Sequence, residues 1–393
     1  MKKKHVGCGL TLFVSMLVAP MLFSQSVEAP AVLERLFTQG VDSVSYSKQF
    51  SQAVSSDRLE QIVESIESQL GGFKDVTGVS NPYIAVFENG EATTYIYLDE
   101  QNQIAGLQFT KLSPYSVSME QSLEKISAYS EEVSYLVRKN GKVLAFRDAD
   151  KPYAVGSAFK LAVLAAVKEA VEAGGIDWDD TYLLQEGDKS LPSGVLQDWP
   201  QGAPLTIHTL ASLMISISDN TATDALISIV GRQAVQQFSR YTEPFLTTRE
   251  MFVLKNPDNE ELKKAFLDQG ETVSNELWEM IAEAPLPSAG LFTGAPMSLE
   301  IEWFFSTGEL CELMERVADL DVTTINPGVA VRSDWERISY KGGSEPGVLN
   351  LTTRLEDADG NVYCVSVTWN DTKHPLPEEE IFLSYNSLLN ALE

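Results

Sequence analysis

Between residues 156 and 167 the chain reads GSAFKLAVLAAV, in which a serine and a lysine precede a wholly apolar run. The run is typical of a buried helix. Because residues three apart share one face of a helix, the amine of Lys160 can reach the hydroxyl of Ser157. A serine hydroxyl is a weak nucleophile at neutral pH, and an amine kept unprotonated by burial can act as its base. The stretch predicts a nucleophilic Ser157 with Lys160 in proton transfer, beside helix N–H groups that can stabilise an oxyanion.

The spacing of serine and lysine is a weak signal by itself, because it occurs twice more in the chain. Ser45 and Lys48 have this spacing, and so do Ser122 and Lys125. Both pairs lie in polar surroundings, which indicates solvated surface positions. The interpretation of Ser157 therefore depends on further motifs.

A second motif, Ser218-Asp219-Asn220, follows the apolar stretch 210–217. Serine, aspartate and asparagine make good helix caps and turns, and this structural interpretation stays open. The functional interpretation gives Ser218 a proton-shuttling hydroxyl and Asn220 an amide that holds a substrate carbonyl.

A third motif, Lys341-Gly342-Gly343-Ser344, ends the strand-like residues 338–340. Glycine in this position would let a substrate lie against an edge strand. The two glycines are equally compatible with a β-bulge.

The three motifs, in this order, resemble the S-x-x-K, S-D-N and K-[TS]-G pattern of class A β-lactamases and penicillin-binding proteins. The resemblance implies an α+β fold with an antiparallel sheet and a helical part, and acyl transfer through a covalent intermediate at Ser157. The resemblance assigns proton transfer to Lys160 and Ser218, and it makes Asp219 a structural brace. It assigns an oxyanion site to the N–H groups of Ser157 and Ser344. The residues that it implies for substrate binding are Asn220, Lys341, Gly343 and Ser344.

The layout of the whole chain resembles a narrower group, the β-lactamase-related serine hydrolases that include a protein of the clavulanic acid biosynthesis cluster. Residues 244–250 and 341–347 add to this resemblance. The group pairs a steroid-isomerase-like domain with a β-lactamase-like one. The resemblance implies esterase or acyl-hydrolase chemistry more readily than strong β-lactamase activity.

The third motif departs from the family pattern in two ways. Gly342 replaces a hydroxyl residue that helps to bind the substrate carboxylate, and Glu345 places a negative charge near the same region. Both changes are expected to weaken the binding of penicillins, with Lys341 remaining as the attractive charge.

The glutamate that drives deacylation in class A enzymes has an uncertain counterpart. Residues 243–247 resemble the E-x-x-L-N loop, with Thr247 in place of asparagine, but they follow the second motif unusually closely. Glu243 is therefore a candidate deacylating base, with a solvated loop acid as the alternative and Glu250 as a second candidate. A missing or displaced base predicts slow deacylation.

Residues 27–117 are predicted to form a separate small α+β domain, similar to a cystatin or a ketosteroid isomerase. Helical periodicity covers 31–37 and 59–70, and strands are predicted at 83–87, 92–98 and 104–109, with a hairpin turn at Asn89-Gly90. Residues 112–118 are the best linker candidate. No catalytic constellation lies in this domain.

Residues 118–393 are predicted to form the β-lactamase-like domain. Strand patterns at 133–137 and 143–146 open it, and those at 337–340, 348–355 and 362–369 close it. One antiparallel sheet would then be assembled from both ends of the domain around a helical insert. The helical patterns cover 119–129, 158–173, 207–230, 271–284, 299–320 and 377–392.

Residues 1–26 are predicted to be a cleaved signal peptide, because three lysines precede an apolar run. Ala19-Pro20 interrupts that run, which disfavours a membrane span. The protein is therefore expected to be periplasmic or secreted. The formal net charge of −27 makes nucleic acid an implausible partner. The resemblance to β-lactamases and related hydrolases implies a small β-lactam or ester as the bound molecule.

Two histidines outside the signal, His208 and His374, disfavour a Ser-His-Asp triad and a zinc site, so neither a metal nor a cofactor is expected. Cys311 and Cys364 are too few for a disulfide framework. Two free, buried cysteines are the default expectation, and one disulfide is the alternative.

The sequence leaves three functions open. The first is a hydrolase that forms an acyl-enzyme at Ser157 and acts on β-lactams or small esters, with weak β-lactamase activity. The second is a cell-wall D,D-peptidase or transpeptidase of the penicillin-binding kind. The third is a non-hydrolysing ligand sensor.

Overall fold

The structure is a computed structural model that describes residues 28–78, 80–114, 117–270 and 272–392. The predicted signal peptide, residues 1–26, lies outside the described residues. The chain divides into two compact units. The first comprises the described residues up to Ser122 with 390–392, and the second runs from Leu123 to Leu389.

The first unit combines helices with one four-stranded antiparallel sheet. The strand order is β1-β2-β3-β4. The helices are α1 (Ala29–Gln39), α2 (Lys48–Ala53) and α3 (Ser56–Leu70), and the strands are β1 (Phe73–Thr77), β2 (Tyr83–Phe87), β3 (Gly90–Leu98) and β4 (Ile104–Pro114). The predicted strands at 83–87, 92–98 and 104–109 are confirmed. β1 was not predicted, because Lys74 and Asp75 break its apolar pattern.

Side chains of β3 alternate strictly between buried and half-buried positions, as one face of the sheet covers the core. Four phenylalanines meet in that core, with the ring of Phe37 5.1 Å from Phe87, 5.4 Å from Phe73 and 5.8 Å from Phe109. The predicted linker at 112–118 is wrong at its start. Residues 112–114 continue β4 because they pair with residues 90–92 of β3.

The second unit contains a five-stranded antiparallel sheet in the order β11-β12-β13-β5-β6. Its strands are β5 (Glu132–Lys139), β6 (Lys142–Arg147), β11 (Arg337–Glu345), β12 (Val348–Glu356) and β13 (Val362–Asn370). Strands from both ends of the domain thus form one sheet, as predicted. β12 and β13 are almost wholly buried, which agrees with their near-continuous apolar and threonine-rich sequences.

Most helices lie in the chain between the two groups of strands. The helices are α4 (Met119–Ala128), α5 (Lys160–Glu172), α6 (Ile207–Ser216), α7 (Asn220–Val230), α8 (Arg232–Gln236), α9 (Thr248–Lys255), α10 (Glu260–Gln269), α11 (Asn275–Glu283), α12 (Thr307–Val317) and α13 (Glu378–Asn390). Of these, α4 precedes β5 and α13 follows β13. Two short strand pairs join β7 (Tyr153–Ala154) to β10 (Phe304–Phe305) and β8 (Thr181–Leu183) to β9 (Pro204–Thr206).

The helix predicted over 207–230 is interrupted at the second motif. Ser218 has a φ of 59°, which a right-handed helix cannot contain. Asp219 then caps α7 by accepting a hydrogen bond from the N–H of Ala222 at 2.8 Å. The helix predicted over 299–320 is likewise confined to α12, because residues 304–305 pair with β7.

Cys311 of α12 and Cys364 of β13 form a disulfide, so the default expectation of two free cysteines is wrong. The two residues are 53 positions apart in the chain, and no sequence pattern indicated that they meet. They come together because α12 packs against β5, β12 and β13. Within the described residues, no helix is long and apolar enough to span a membrane.

Candidate active site

Ser157 lies in a short 3₁₀ turn, residues 156–159, that leads directly into α5. Gly156 in this turn has a φ of 49°, a left-handed conformation that favours glycine. The strand β11 passes very close to the turn at Gly343. A side chain there would put its Cβ atom 2.4 Å from the N atom of Ser157 and 2.2 Å from the carbonyl O of Val155. Gly343 is thus required for the approach of β11 to Ser157.

The amine of Lys160 joins the first motif to the second. Its Nζ atom lies 3.1 Å from Ser157 Oγ, 3.0 Å from Ser218 Oγ and 2.6 Å from Asn220 Oδ1. It also lies 2.7 Å from the carbonyl O of Ser218. Lys160 is fully buried. Burial, reinforced by the charge of nearby Lys341, holds the pKa of this amine well below its usual range.

The oxygens around Lys160 indicate which way each proton points. The carbonyl O of Ser218 and the amide Oδ1 of Asn220 can only accept, so they take the two N–H groups of a neutral amine. The lone pair of the amine is then left for a hydroxyl. Ser157 Oγ, at 3.1 Å, accepts from Lys160 when the amine is protonated and can donate to the lone pair when the amine is neutral, and the second arrangement is the one that activates a serine.

Lys341 joins the third motif to the same network. Its Nζ atom lies 3.1 Å from Ser218 Oγ and 2.5 Å from the carbonyl O of Gly342. Burial lowers the pKa of Lys341 to about 7. The Ser218 hydroxyl thus lies between two amines, Lys160 and Lys341, and can pass a proton between them and a bound substrate.

Asp219 and the amide of Asn220 hold the second motif in place. Asp219 is fully buried and accepts hydrogen bonds from the N–H groups of Val195, Leu196 and Ala222. Asn220 Nδ2 donates to the carbonyl O of Leu191 at 2.9 Å. Asp219 therefore acts as a brace for the loop.

Ser344 is the last residue of the third motif and lies beside the nucleophile. A Cβ atom on Gly156 would lie 3.2 Å from the N atom of Ser344, which places that N–H next to the Ser157 turn. The Ser344 hydroxyl is directed elsewhere, toward the carboxylate of Glu378. Its backbone N–H, rather than its side chain, is suited to an oxyanion site.

Ser157 lines two neighbouring cavities. The first cavity, of about 350 Å³, has polar walls that include Ser218 and Lys341. The second, of about 340 Å³, has a wall of aromatic and aliphatic side chains. Residues Ser157, Ser193 and Ser344 line both. A substrate carbonyl at Ser157 would therefore have space on each side.

The structure explains why glycine replaces a hydroxyl residue at position 342. A Cβ atom at this position would lie 2.2 Å from the phenol O of Tyr340 and 2.9 Å from the carbonyl O of Asn350. The Tyr340 ring thus takes the space that a hydroxyl side chain would need.

The structure brings Glu243 to neither cavity. Its side chain is exposed, and it is absent from the residues that line the cavities around Ser157. Glu250 is engaged elsewhere, in a two-point ion pair with Arg232 at 2.6 and 3.0 Å.

Thr248, the first residue of α9 directly after this loop, lines the second cavity. The buried carboxylate of Asp224 fixes it, accepting from its N–H at 2.7 Å and its hydroxyl at 2.9 Å. Burial raises the pKa of Asp224 to about 7. Neither residue was predicted from the sequence, although Asp224 lies one helical turn after Asn220.

Glu345 is not the isolated charge that the sequence suggested. Its carboxylate contacts the ammonium of Lys255, which also pairs with Glu302 at 2.7 Å. Lys255 and Glu302 were missed, because single charged residues in ordinary contexts give no motif. Within the described residues, no group of His, Cys, Asp and Glu side chains is placed to hold a metal ion.

The sheet and its helices have the mixed helical and antiparallel fold of β-lactamases and penicillin-binding proteins. Residues 118–274 match the model of the β-lactamase enzyme family. The second unit thus contains a β-lactamase-family domain. No curated protein matches the chain.

Solved structures similar to this chain include two β-lactamases and a penicillin-binding protein. A β-lactamase from Sphaerobacter thermophilus is 20% identical over 70% of this chain and 96% of its own, with a TM-score of 0.48. One from Chitinophaga pinensis is 17% identical over 70% and 98%, also with a TM-score of 0.48. PBP-A is 17% identical over 69% and 94%, with a TM-score of 0.47.

Proposed function

We propose that this protein is a serine hydrolase that forms an acyl-enzyme at Ser157 and hydrolyses small esters or β-lactams, with weak β-lactamase activity. The observation that carries the proposal is the position of Lys160 Nζ, 3.1 Å from Ser157 Oγ in a fully buried setting. A low pKa for this amine lets it take the serine proton at neutral pH.

Acylation follows from this geometry. Ser157 Oγ gives its proton to Lys160 and attacks the carbonyl carbon, while the N–H groups of Ser157 and Ser344 bind the oxygen that becomes negative. Ser218, in contact with Lys160 and Lys341, delivers a proton to the leaving nitrogen or oxygen. Lys160 returns its extra proton through Ser218 and is neutral again. Asn220 and Lys341 orient the substrate.

Deacylation by water completes the cycle and is proposed to be slow. The exposed side chain of Glu243 lines neither cavity, so we do not assign it the role of base. Thr248, which follows Glu243 at the start of α9 and lines the second cavity, has no group that titrates near neutral pH. A long-lived acyl-enzyme would favour the second candidate, a penicillin-binding protein of the D,D-peptidase or transpeptidase kind.

Small esters are the preferred substrates in this proposal. The space beside Gly342 is filled by Tyr340, so penicillins would lack a hydroxyl partner for their carboxylate. Lys341, with a pKa of about 7, offers only part of a positive charge at neutral pH. The resemblance to hydrolases of the clavulanic acid cluster type also supports ester chemistry.

The protein is proposed to act outside the cytoplasm, in the periplasm or as a secreted protein, without a cofactor. The lysines and apolar run of residues 1–26 support export. The disulfide between Cys311 and Cys364 agrees with an oxidising compartment.

Hydrolysis of a nitrophenyl ester by the wild type and by Ser157→Ala tests the activity. The wild type is expected to turn over the ester, and the variant is expected to fall to the uncatalysed rate. Ser333→Ala, an exposed serine whose hydroxyl contacts only Asp334, is a matched control. An unchanged rate in Ser157→Ala would refute the proposal.

A further inference from the structure

The second cavity contains two buried carboxylates that share one ammonium. Lys255 Nζ lies 2.7 Å from Glu302 Oε1 and also contacts Glu345 Oε1. The side chains of Lys255 and Glu302 are fully buried, whereas 14% of the Glu345 side chain is exposed. Glu345 is therefore the member of this cluster that a molecule in the cavity can reach.

The charges of the cluster balance only when one carboxyl group is neutral. Burial together with Glu302 raises the pKa of Glu345 to about 8, so Glu345 holds a proton over much of the neutral range. The two carboxylates raise the pKa of Lys255 although burial opposes its charge, so Lys255 stays protonated. When Glu345 ionises, the cluster lacks one positive charge, which either a proton or a cation in the cavity can supply.

The remaining cavity wall supplies aromatic faces and no cation. Among the described residues, Glu302 and Glu345 are the only charged side chains that line it. The rings of Phe252 and Phe292 lie 4.9 Å apart, and Phe159 stacks on Trp303 at 3.7 Å. Phe159 and Trp303 cover each other's faces, so the half-buried rings of Phe252 and Phe292 are the ones that can offer a face to an organic ammonium.

We propose that the second cavity is a subsite for an acyl group that ends in an organic ammonium, with Glu345 as its counter-ion. This inference rests on the proposed function, because the same cavity begins at Ser157. An acyl chain attached to Ser157 Oγ would extend along the aromatic wall, and its cation would supply the charge that the cluster lacks. An acyl group that ends in a carboxylate would instead meet two glutamates.

Two matched esters test the subsite on the full chain. One is the nitrophenyl ester of trimethylammoniobutyrate. In the other, a carbon atom replaces the quaternary nitrogen, so that the acyl chain ends in a neutral tert-butyl group. The two differ in charge and hardly in shape. With each kcat/KM divided by the uncatalysed rate and measured above pH 8, where Glu345 is ionised, the wild type is expected to prefer the ammonium ester about tenfold.

Glu345→Gln is expected to bring this preference close to one. The variant should fold, because Lys255 keeps its pairing with Glu302. Glu261→Gln on the exposed face of α10 changes the net charge by the same amount and is expected to keep the preference, which excludes long-range attraction by the acidic protein.

The outcomes separate this inference from the proposed function. Equal rates for the two esters in the wild type, or an unchanged preference in Glu345→Gln, would overturn the subsite and leave the hydrolase intact. If Glu345→Gln failed to fold, the wild type and Glu261→Gln would test the subsite. A preference for the ammonium ester in both would support it, and equal rates for the two esters would overturn it. Failure of both esters to react at Ser157 would overturn the proposed function and the subsite together.

Discussion

The Nζ atom of Lys341 lies 3.1 Å from the Oγ atom of Ser218, the same hydroxyl that Lys160 reaches at 3.0 Å. One hydroxyl thus connects the amine beside the nucleophile with the amine on the edge strand. The three sequence motifs meet at this point, although they lie far apart in the chain.

Ser218→Ala is expected to slow acylation about a hundredfold, because the route for the proton to the leaving group is lost. Lys160 would keep its contacts with Ser157 and Asn220. Stopped-flow acylation by a nitrophenyl ester measures the effect. Ser212→Ala on α6, whose hydroxyl hydrogen-bonds to the carbonyl O and the ring Nδ1 of His208, is the control. Equal acylation rates in the two variants would exclude Ser218 from proton transfer.

The discrimination between charged and neutral substrates is expected to depend on pH through Lys341. Its pKa of about 7 means that it carries a full charge below that pH and loses it above. The acylation rate for a penicillin, divided by that for a neutral ester, should therefore fall as the pH rises through about 7. The ratio cancels effects shared by both substrates, including the ionisation of Lys160. Lys341→Arg, which stays protonated, should remove the slope, and a flat wild-type ratio would contradict the account.

Gly343→Ala is expected to lower the free energy of unfolding by about 2 kcal/mol and to slow acylation about a hundredfold. The added methyl group would collide with the backbone of the Ser157 turn. Gly187→Ala, with no atom within 4 Å of the new Cβ, should change the unfolding free energy by less than about 0.5 kcal/mol. Urea denaturation and ester kinetics measure both effects, and equal stability of the two variants would contradict the close contact.

Removal of the disulfide is expected to lower the free energy of unfolding by about 2–4 kcal/mol, because the bond closes a long loop in the unfolded chain. The double variant Cys311→Ala/Cys364→Ala and the reduced wild type should show similar losses in urea. An unfolding midpoint that does not move on reduction would show that the bond is absent or without effect on stability.

Lys255→Met is expected to lower the free energy of unfolding by about 3–5 kcal/mol, because it leaves Glu302 and Glu345 buried without their cation. Lys263→Met is a matched control, since its partners Glu260 and Glu300 are largely exposed, and it should cost about 1 kcal/mol or less. Equal losses in urea denaturation would show that the cluster is not held as described.

The sequence predicted the parts of the site that local context determines. The helix after Ser157 and the strand before Lys341 follow from apolar patterns, and the motif order implied that the two meet Ser218. Lys255, Glu302 and Thr248 were not predicted, because their roles come from contacts between distant segments. The pairing of Cys311 with Cys364 was missed for the same reason.

The fold, too, was predictable only where a local pattern determines the structure. Hydrophobic periodicity predicted the long strands and most helices, whereas β7 and β10, of two residues each, are too short to show a periodic pattern. Apolar residues continue on both sides of Ser218, so the pattern across 207–230 predicted one continuous helix instead of two. Only the turn-forming Ser-Asp-Asn sequence indicated the break.

Intact-protein mass spectrometry after mixing with a penicillin or a nitrophenyl ester tests the central claim, an acyl-enzyme at Ser157, most directly. The account predicts a mass increase equal to the transferred acyl group, mapped to the peptide with Ser157, decaying slowly and missing in Ser157→Ala. Absence of any adduct with both probes, or an adduct that persists in Ser157→Ala, would contradict it.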